Sequence, residues 1–100
     1  MKATLLVSGR TVLDETIFVE TVLWKVPSPV RGSAHGFKYR LALVARGVCV
    51  LRYDNEAGKG DHRHLGDREE PYQFEGVDRL LVDFRNDVRT WLDENRDAED

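Results

Sequence analysis

The stretch Asp54-Asn55-Glu56-Ala57-Gly58-Lys59-Gly60-Asp61-His62-Arg63-His64 gathers the side chains of this 100-residue chain best suited to chemistry. His62 and His64 stand two apart, so in an extended segment they project to the same side and both imidazoles can serve one centre. Imidazole ordinarily titrates near pH ~6.5, which lets both of its protonation states exist near neutrality, as general acid–base work requires. Gly58-Lys59-Gly60 adds backbone able to reach positive φ and approach a ligand closely, with a cation between the glycines. Its spacing matches neither the P-loop nor the dinucleotide fingerprint, so alone it is a glycine-rich connection after a strand.

Three functions fit such a segment. In the first, histidines act as general base and general acid while Lys59, Arg63 or Arg40 stabilises charge on a phosphate, an arrangement that cleaves RNA through its 2′-hydroxyl without a metal or cofactor. In the second, His62 and His64 bind zinc or another transition metal together with His35 or a carboxylate from Asp54, Asp61 or Asp67. In the third, the segment is an interaction surface whose histidines are satisfied by Asp54, Asp61 and Glu56. It then meets a partner protein, a nucleic acid or a second copy of the chain as a homodimer.

The elements that must position these residues are set by turn signals and periodicity. Treating Asp14-Glu15 as a two-residue turn pairs Leu5 with Trp24, Val7 with Val22 and Thr11 with Phe18 in a first hairpin, with a bulge expected around Ser8-Gly9-Arg10. A second hairpin, 37–44 with 48–54, closes through Ala45-Arg46-Gly47. That register stacks Tyr39 on Tyr53, Leu41 on Leu51 and Leu43 on Cys49, and sets Lys38 opposite Asp54 and Arg40 opposite Arg52. Extended outward, it brings His35 opposite Ala57, within reach of His62 and His64. All three histidines of the chain then converge on one corner, with Lys38 and Arg40 beside it. Val77, Leu80, Leu81, Phe84, Val88, Trp91 and Leu92 recur at helical spacing, with Asp78 as the expected N-cap.

The expected fold class is therefore α+β, two β-hairpins forming a mainly antiparallel sheet of about four strands with a C-terminal amphipathic helix packed on one face. Residues 1–92 make the single domain and 93–100 an acidic, frayed tail. That tail holds five acids against Arg96, so the net charge of −3 leaves the domain itself about neutral, which neither demands nor forbids a nucleic-acid partner. No apolar run approaches the ~18 residues of a membrane span, and the N-terminal stretch is short for a signal peptide. Cys49 is the sole cysteine, which suits a reducing compartment, and the expected location is cytoplasmic.

Taken together, Ser33-Ala34-His35-Gly36-Phe37-Lys38-Tyr39-Arg40-Leu41, Arg52-Tyr53-Asp54-Asn55-Glu56, Gly58-Lys59-Gly60-Asp61-His62-Arg63-His64 and Glu70-Pro71-Tyr72 resemble the TumE-type family of small toxin-antitoxin proteins, formerly classed as a domain of unknown function. The resemblance extends over nearly the whole chain. It implies a prokaryotic toxin of a type II pair whose partner is an antitoxin with a helix-turn-helix DNA-binding domain. It carries His35, Lys38, Tyr39, Arg40, Tyr53, Asp54, Asn55, Gly58, Lys59, Gly60, His62, Arg63 and His64 into the family motif. Asp14-Glu15 stands where a glycine-containing turn is expected. The convergence of three histidines with Lys59, Arg63 and Arg40, not the resemblance, gives the expectation of a small metal-independent ribonuclease in which His62 and His64 are the acid–base pair and His35 is the orienting or alternate base. Lys59 and Arg63 bind phosphate with Arg40, Lys38, Gly58 and Gly60 nearby, and Asp54, Asp61, Tyr53 and Asn55 give support.

Overall fold

In the computed structural model, which describes residues 2–96, six strands and one helix follow in chain order: β1 (Thr4–Asp14), β2 (Ile17–Lys25), β3 (Phe37–Ala45), β4 (Val48–Glu56), β5 (Gly60–Leu65), β6 (Arg68–Pro71) and α1 (Val77–Arg96). Each strand pairs antiparallel with the next, so the sheet is a meander in the order β1 to β6. The α+β class with a C-terminal helix on one face agrees with the sequence, but the sheet has six strands, not about four. The additional hairpin, β5–β6, turns at Gly66-Asp67. It escapes an apolar-alternation test because Asp61 and Arg63 occupy the β5 positions paired with the buried Asn55 and Tyr53 of β4.

Turn geometry corrects the expected registers. The first hairpin turns at Glu15-Thr16 instead of Asp14-Glu15, since Asp14 faces Ile17. Register shifts between Leu5 and Val7 and between Val12 and Asp14 then set Val7 against Leu23 and Thr11 against Val19, and the irregularity expected around Gly9 sits closer to Leu6. The second hairpin turns through two residues, Arg46 at φ 52° and Gly47 at φ 79°, the double positive-φ geometry that matches strand twist. A bulge at Val50 then moves the ladder by one residue, so Leu41 meets Tyr53 and Leu43 meets Leu51. Apolar matching is thereby kept with a two-residue turn, and Arg40 faces Asp54 while Ala42 faces Arg52.

On one face of the sheet Leu23, Tyr39, Leu41, Leu43, Leu51 and Tyr53 join Leu80, Phe84 and Val88 of α1 in the buried core, with Val77, Leu81, Trp91 and Leu92 packed at its margin. Burying side chains of this size at about 1.5–3 kcal/mol each is sufficient cause for the helix to lie there. The helix begins at Val77, and the Leu80 amide donates to the Gly76 carbonyl at 3.0 Å. Gly76 therefore takes the cap position, and Asp78 lies within the first turn, where its charge meets the positive end of the helix dipole. The helix continues through Arg96, so the first part of the expected tail is helical and 97–100 lie outside the described residues.

A polar latch ties α1 to the sheet. The Tyr53 hydroxyl donates to the Asp87 carboxylate, and Arg63 reaches Asp87 at 3.1 Å, the Tyr53 hydroxyl at 3.2 Å and Glu70 of β6. Burial, and then the bond to Asp87, push the Tyr53 phenol above its ordinary range, so it stays a donor. At the other end of the sheet the 26–36 connection packs directly on the β4–β5 turn, with the Gly58 amide donating to the Arg31 carbonyl at 2.7 Å.

Gly60 has φ +76°, and a Cβ there would lie 2.5 Å from the Gly32 carbonyl oxygen. Gly60→Ala is therefore expected to cost at least ~2 kcal/mol in urea unfolding. Gly9→Ala, where a Cβ meets nothing within 4 Å, should change stability by less than ~0.5 kcal/mol.

Candidate functional site

The face of the sheet away from α1 carries the polar cluster. Two adjacent rows cross it: Ala42, Arg52, His64 and Glu69 in one, and Arg40, Asp54, His62 and Pro71 in the other. His62 Nε2 lies 2.7 Å from Asp54 Oδ1, and Arg52 Nε lies 3.0 Å from Asp54 Oδ2. The second arm of Arg52, Nη2, lies 2.9 Å from His64 Nε2. The two imidazoles stand edge to face with centroids 4.9 Å apart. Glu69 Oε1 lies 3.7 Å from His62 Nε2, 3.9 Å from His64 Nε2 and 3.6 Å from Lys59 Nζ. Extended β5 thus brings His62 and His64 together, as their spacing predicts.

Their partners differ in kind. His62 Nδ1 lies 2.9 Å from the Gly60 carbonyl, and its buried Nε2 sits against Asp54 Oδ1 at 2.7 Å without hydrogen-bond geometry. His64 Nε2 instead faces a guanidinium, which only donates, so that nitrogen carries a lone pair. Burial and then the Arg52 charge lower the His64 pKa below its ordinary 6.5. The His62 side chain is 5% exposed and that of His64 22%, which makes His64 the imidazole that solvent reaches.

His35 is not part of this pair. Its Nδ1 accepts the Phe37 amide at 3.2 Å and its Nε2 donates to Asp61 at 2.7 Å. Asp61 pairs with Asn55, on the helix side of the sheet, so the three predicted histidines divide between the two faces. Ser33 and Tyr39 hydroxyls also donate to Asp61, both at 2.6 Å, and the His35 ring stacks on Phe74 at 3.7 Å. Asn55 accepts the Tyr39 amide and donates to the Phe37 carbonyl, completing a buried knot. Burial, then Asp61, push the Tyr39 phenol up.

Arg63 likewise faces the helix, held in the latch with Tyr53. Gly58 and Gly60 are taken up by contacts with Arg31 and Gly32. Lys59 is exposed and pairs with Glu69. Lys38 and Arg40 share the histidine face, are exposed, and make no ion pair among the described residues. Sequence reasoning missed Arg52 and Glu69 as members of the cluster. Arg52 alternates with Asp54 and was detectable; Glu69 depends on β6, which has no apolar pattern.

Donor atoms of Asp54, His62 and His64 lie within 4.8 Å of one another, a set able to ligate a metal. The Arg52 guanidinium is already ion-paired with Asp54 and hydrogen-bonded to His64, so a metal must displace it.

Fold and site define a small α+β protein whose sheet carries, on the face away from the helix, a histidine–carboxylate–guanidinium cluster. The chain belongs to the TumE toxin family: the family model described as Toxin TumE matches residues 2–92. Membership gives it a toxin role and implies an antitoxin partner. Comparison with curated proteins and with solved structures returned no match. Among the described residues no helix is long and apolar enough to cross a membrane.

Arg52 is a cause of the lowered His64 pKa, so Arg52→Gln should raise it, read from the His64 ring protons by NMR titration. For stability the sign is fixed: the unfolded chain takes up this proton near pH ~6.5 and the folded chain resists it. Its contribution is complete above that pH and is lost as the pH falls through ~6.5 toward the lower folded value. An unmoved His64 titration in the variant contradicts the electrostatic role of Arg52.

Proposed function

We propose that this toxin is a metal-independent ribonuclease whose acid–base pair is His62 and His64. The observation that carries the proposal is the contrast in their surroundings, the Asp54 carboxylate against His62 and the Arg52 guanidinium on His64, with the rings 4.9 Å apart. Two titratable groups whose surroundings favour different protonation states are suited to opposite proton transfers.

In the proposed reaction an incoming phosphate draws Arg52 away from His64 Nε2, and Lys38 and Arg40 share its charge. The freed lone pair takes the 2′-hydroxyl proton, and the 2′-oxygen attacks phosphorus. The 5′-oxygen leaves with the proton from His62 Nε2, which is buried beside Asp54 in the resting site and turns toward the substrate as Arg52 moves, giving a 2′,3′-cyclic phosphate and a 5′-hydroxyl end. Asp54 holds His62 in place, while His35 and Arg63 act only through the fold.

The test is RNA cleavage in EDTA by wild type, His62→Ala and His64→Ala. Wild type should cleave, and each variant should lose on the order of 10²-fold or more. Equal cleavage by all three, or none by any, excludes the assignment. Activity that EDTA abolishes and zinc restores would favour the Asp54–His62–His64 set as a metal centre.

A further inference from the structure

The histidine face lies away from α1, and it carries a tryptophan that the core does not use. Trp24 of β2 pairs with Lys38 of β3 and Leu5 of β1, whereas its neighbour Leu23 pairs with Tyr39 in the core. Trp24 is half-buried and lies outside the apolar cluster around α1. Strand spacing of ~4.8 Å and a rise of ~3.3 Å per residue put it about 16 Å from His62, a span of two to three nucleotides. Lys38 and Arg40 lie between them.

The charges on this face are unevenly committed. Glu20 is paired with Arg10 at 2.9 Å, Asp54 with Arg52 and His62, and Glu69 with Lys59, while Lys38 and Arg40 are exposed without an ion pair among the described residues. Among the described residues, Glu56 at the end of β4 is the one exposed acid on this face without an ion pair. A half-buried aromatic outside the core, beside two uncommitted cations on the face of the sheet away from α1, matches a nucleic-acid backbone with an unstacked base.

We infer that this face binds single-stranded RNA, with Trp24 stacking a base while Lys38 and Arg40 hold the phosphates that lead to His62 and His64. The inference rests on the ribonuclease reading and adds its substrate class. A duplex has no base free to stack on Trp24 and is bound less well.

Fluorescence anisotropy with a labelled 12-nucleotide RNA carrying 2′-methoxy groups measures binding without cleavage. Trp24→Ala should weaken binding about tenfold, Trp24→Phe should stay within about threefold, and the matching duplex should bind about tenfold more weakly. Lys38→Gln with Arg40→Gln should lower the salt slope by about 1.4. Unchanged affinity in Trp24→Ala, equal binding of the duplex, or no RNA binding overturns the inference. Unmodified RNA, assayed in parallel, separates the two proposals. Cleavage with Trp24-independent binding removes the platform alone, whereas Trp24-dependent binding without cleavage supports the platform and removes the acid–base assignment.

Discussion

Asp54 is a carboxylate buried to 5% exposure in the middle of a sheet, and the arrangement around it follows from the need to compensate its charge. His62 takes one oxygen and Arg52 the other. Each partner then constrains a second group. The far nitrogen of His62 is directed at the Gly60 carbonyl, and the far arm of Arg52 lies on His64. One buried carboxylate thereby orders both imidazoles, although it touches only one. Removing one member of such a group costs ~3–5 kcal/mol when the remaining charge is left unpaired, which ties the integrity of the site to the stability of the fold.

Strand alternation keeps this cluster apart from two other polar networks. Along β5, Asp61 and Arg63 point toward the helix while His62 and His64 point away. Asp61 gathers Ser33, His35 and Tyr39, and so fastens the 26–36 connection to the start of β5. Arg63 gathers Tyr53, Glu70 and Asp87, and so fastens the helix to its middle. β5 is consequently held from one side by two satisfied polar knots, and its other side presents two imidazoles from a backbone that has little freedom to move. Polar networks of this kind stabilise only when every member is paired.

Much of this was legible in the chain, and the failures have definite physical causes. The period of two in an extended segment joined His62 to His64 correctly, and the same period should have sent Arg63 to the opposite side. His35 reached the predicted end of the sheet but the other face, because it shares the alternation of Tyr39, Tyr53 and Asn55 whereas His62 lies opposite Asp54, and nearness to one end of a sheet does not put residues on one side of it. The rejected two-residue turn failed on paper because, without the Val50 bulge, it sets Leu41 against Arg52. The missing third hairpin is a matter of chemistry. Its inward positions are a carboxylate and a guanidinium held half-buried by ion pairing, and its outer strand, Arg68–Pro71, has three charged residues and ends in proline. Hydrophobic patterning carries no trace of either.

The identity of the cation at the Asp54 cluster bears most directly on mechanism. Two imidazoles and a carboxylate are a familiar metal set, but here the guanidinium of Arg52 lies against both Asp54 and His64 and supplies the positive charge that those donors require. A metal would take the lone pair of His64 and hold it. A guanidinium only shares it through a hydrogen bond, and phosphate, which pairs well with arginine in a planar fork, can compete for that bond. In the proposed reaction the substrate's own charge therefore releases the base at the moment of binding. The Nε2 lone pair of His64 is held by Arg52 until a phosphate arrives, and its lowered pKa keeps it unprotonated for that event.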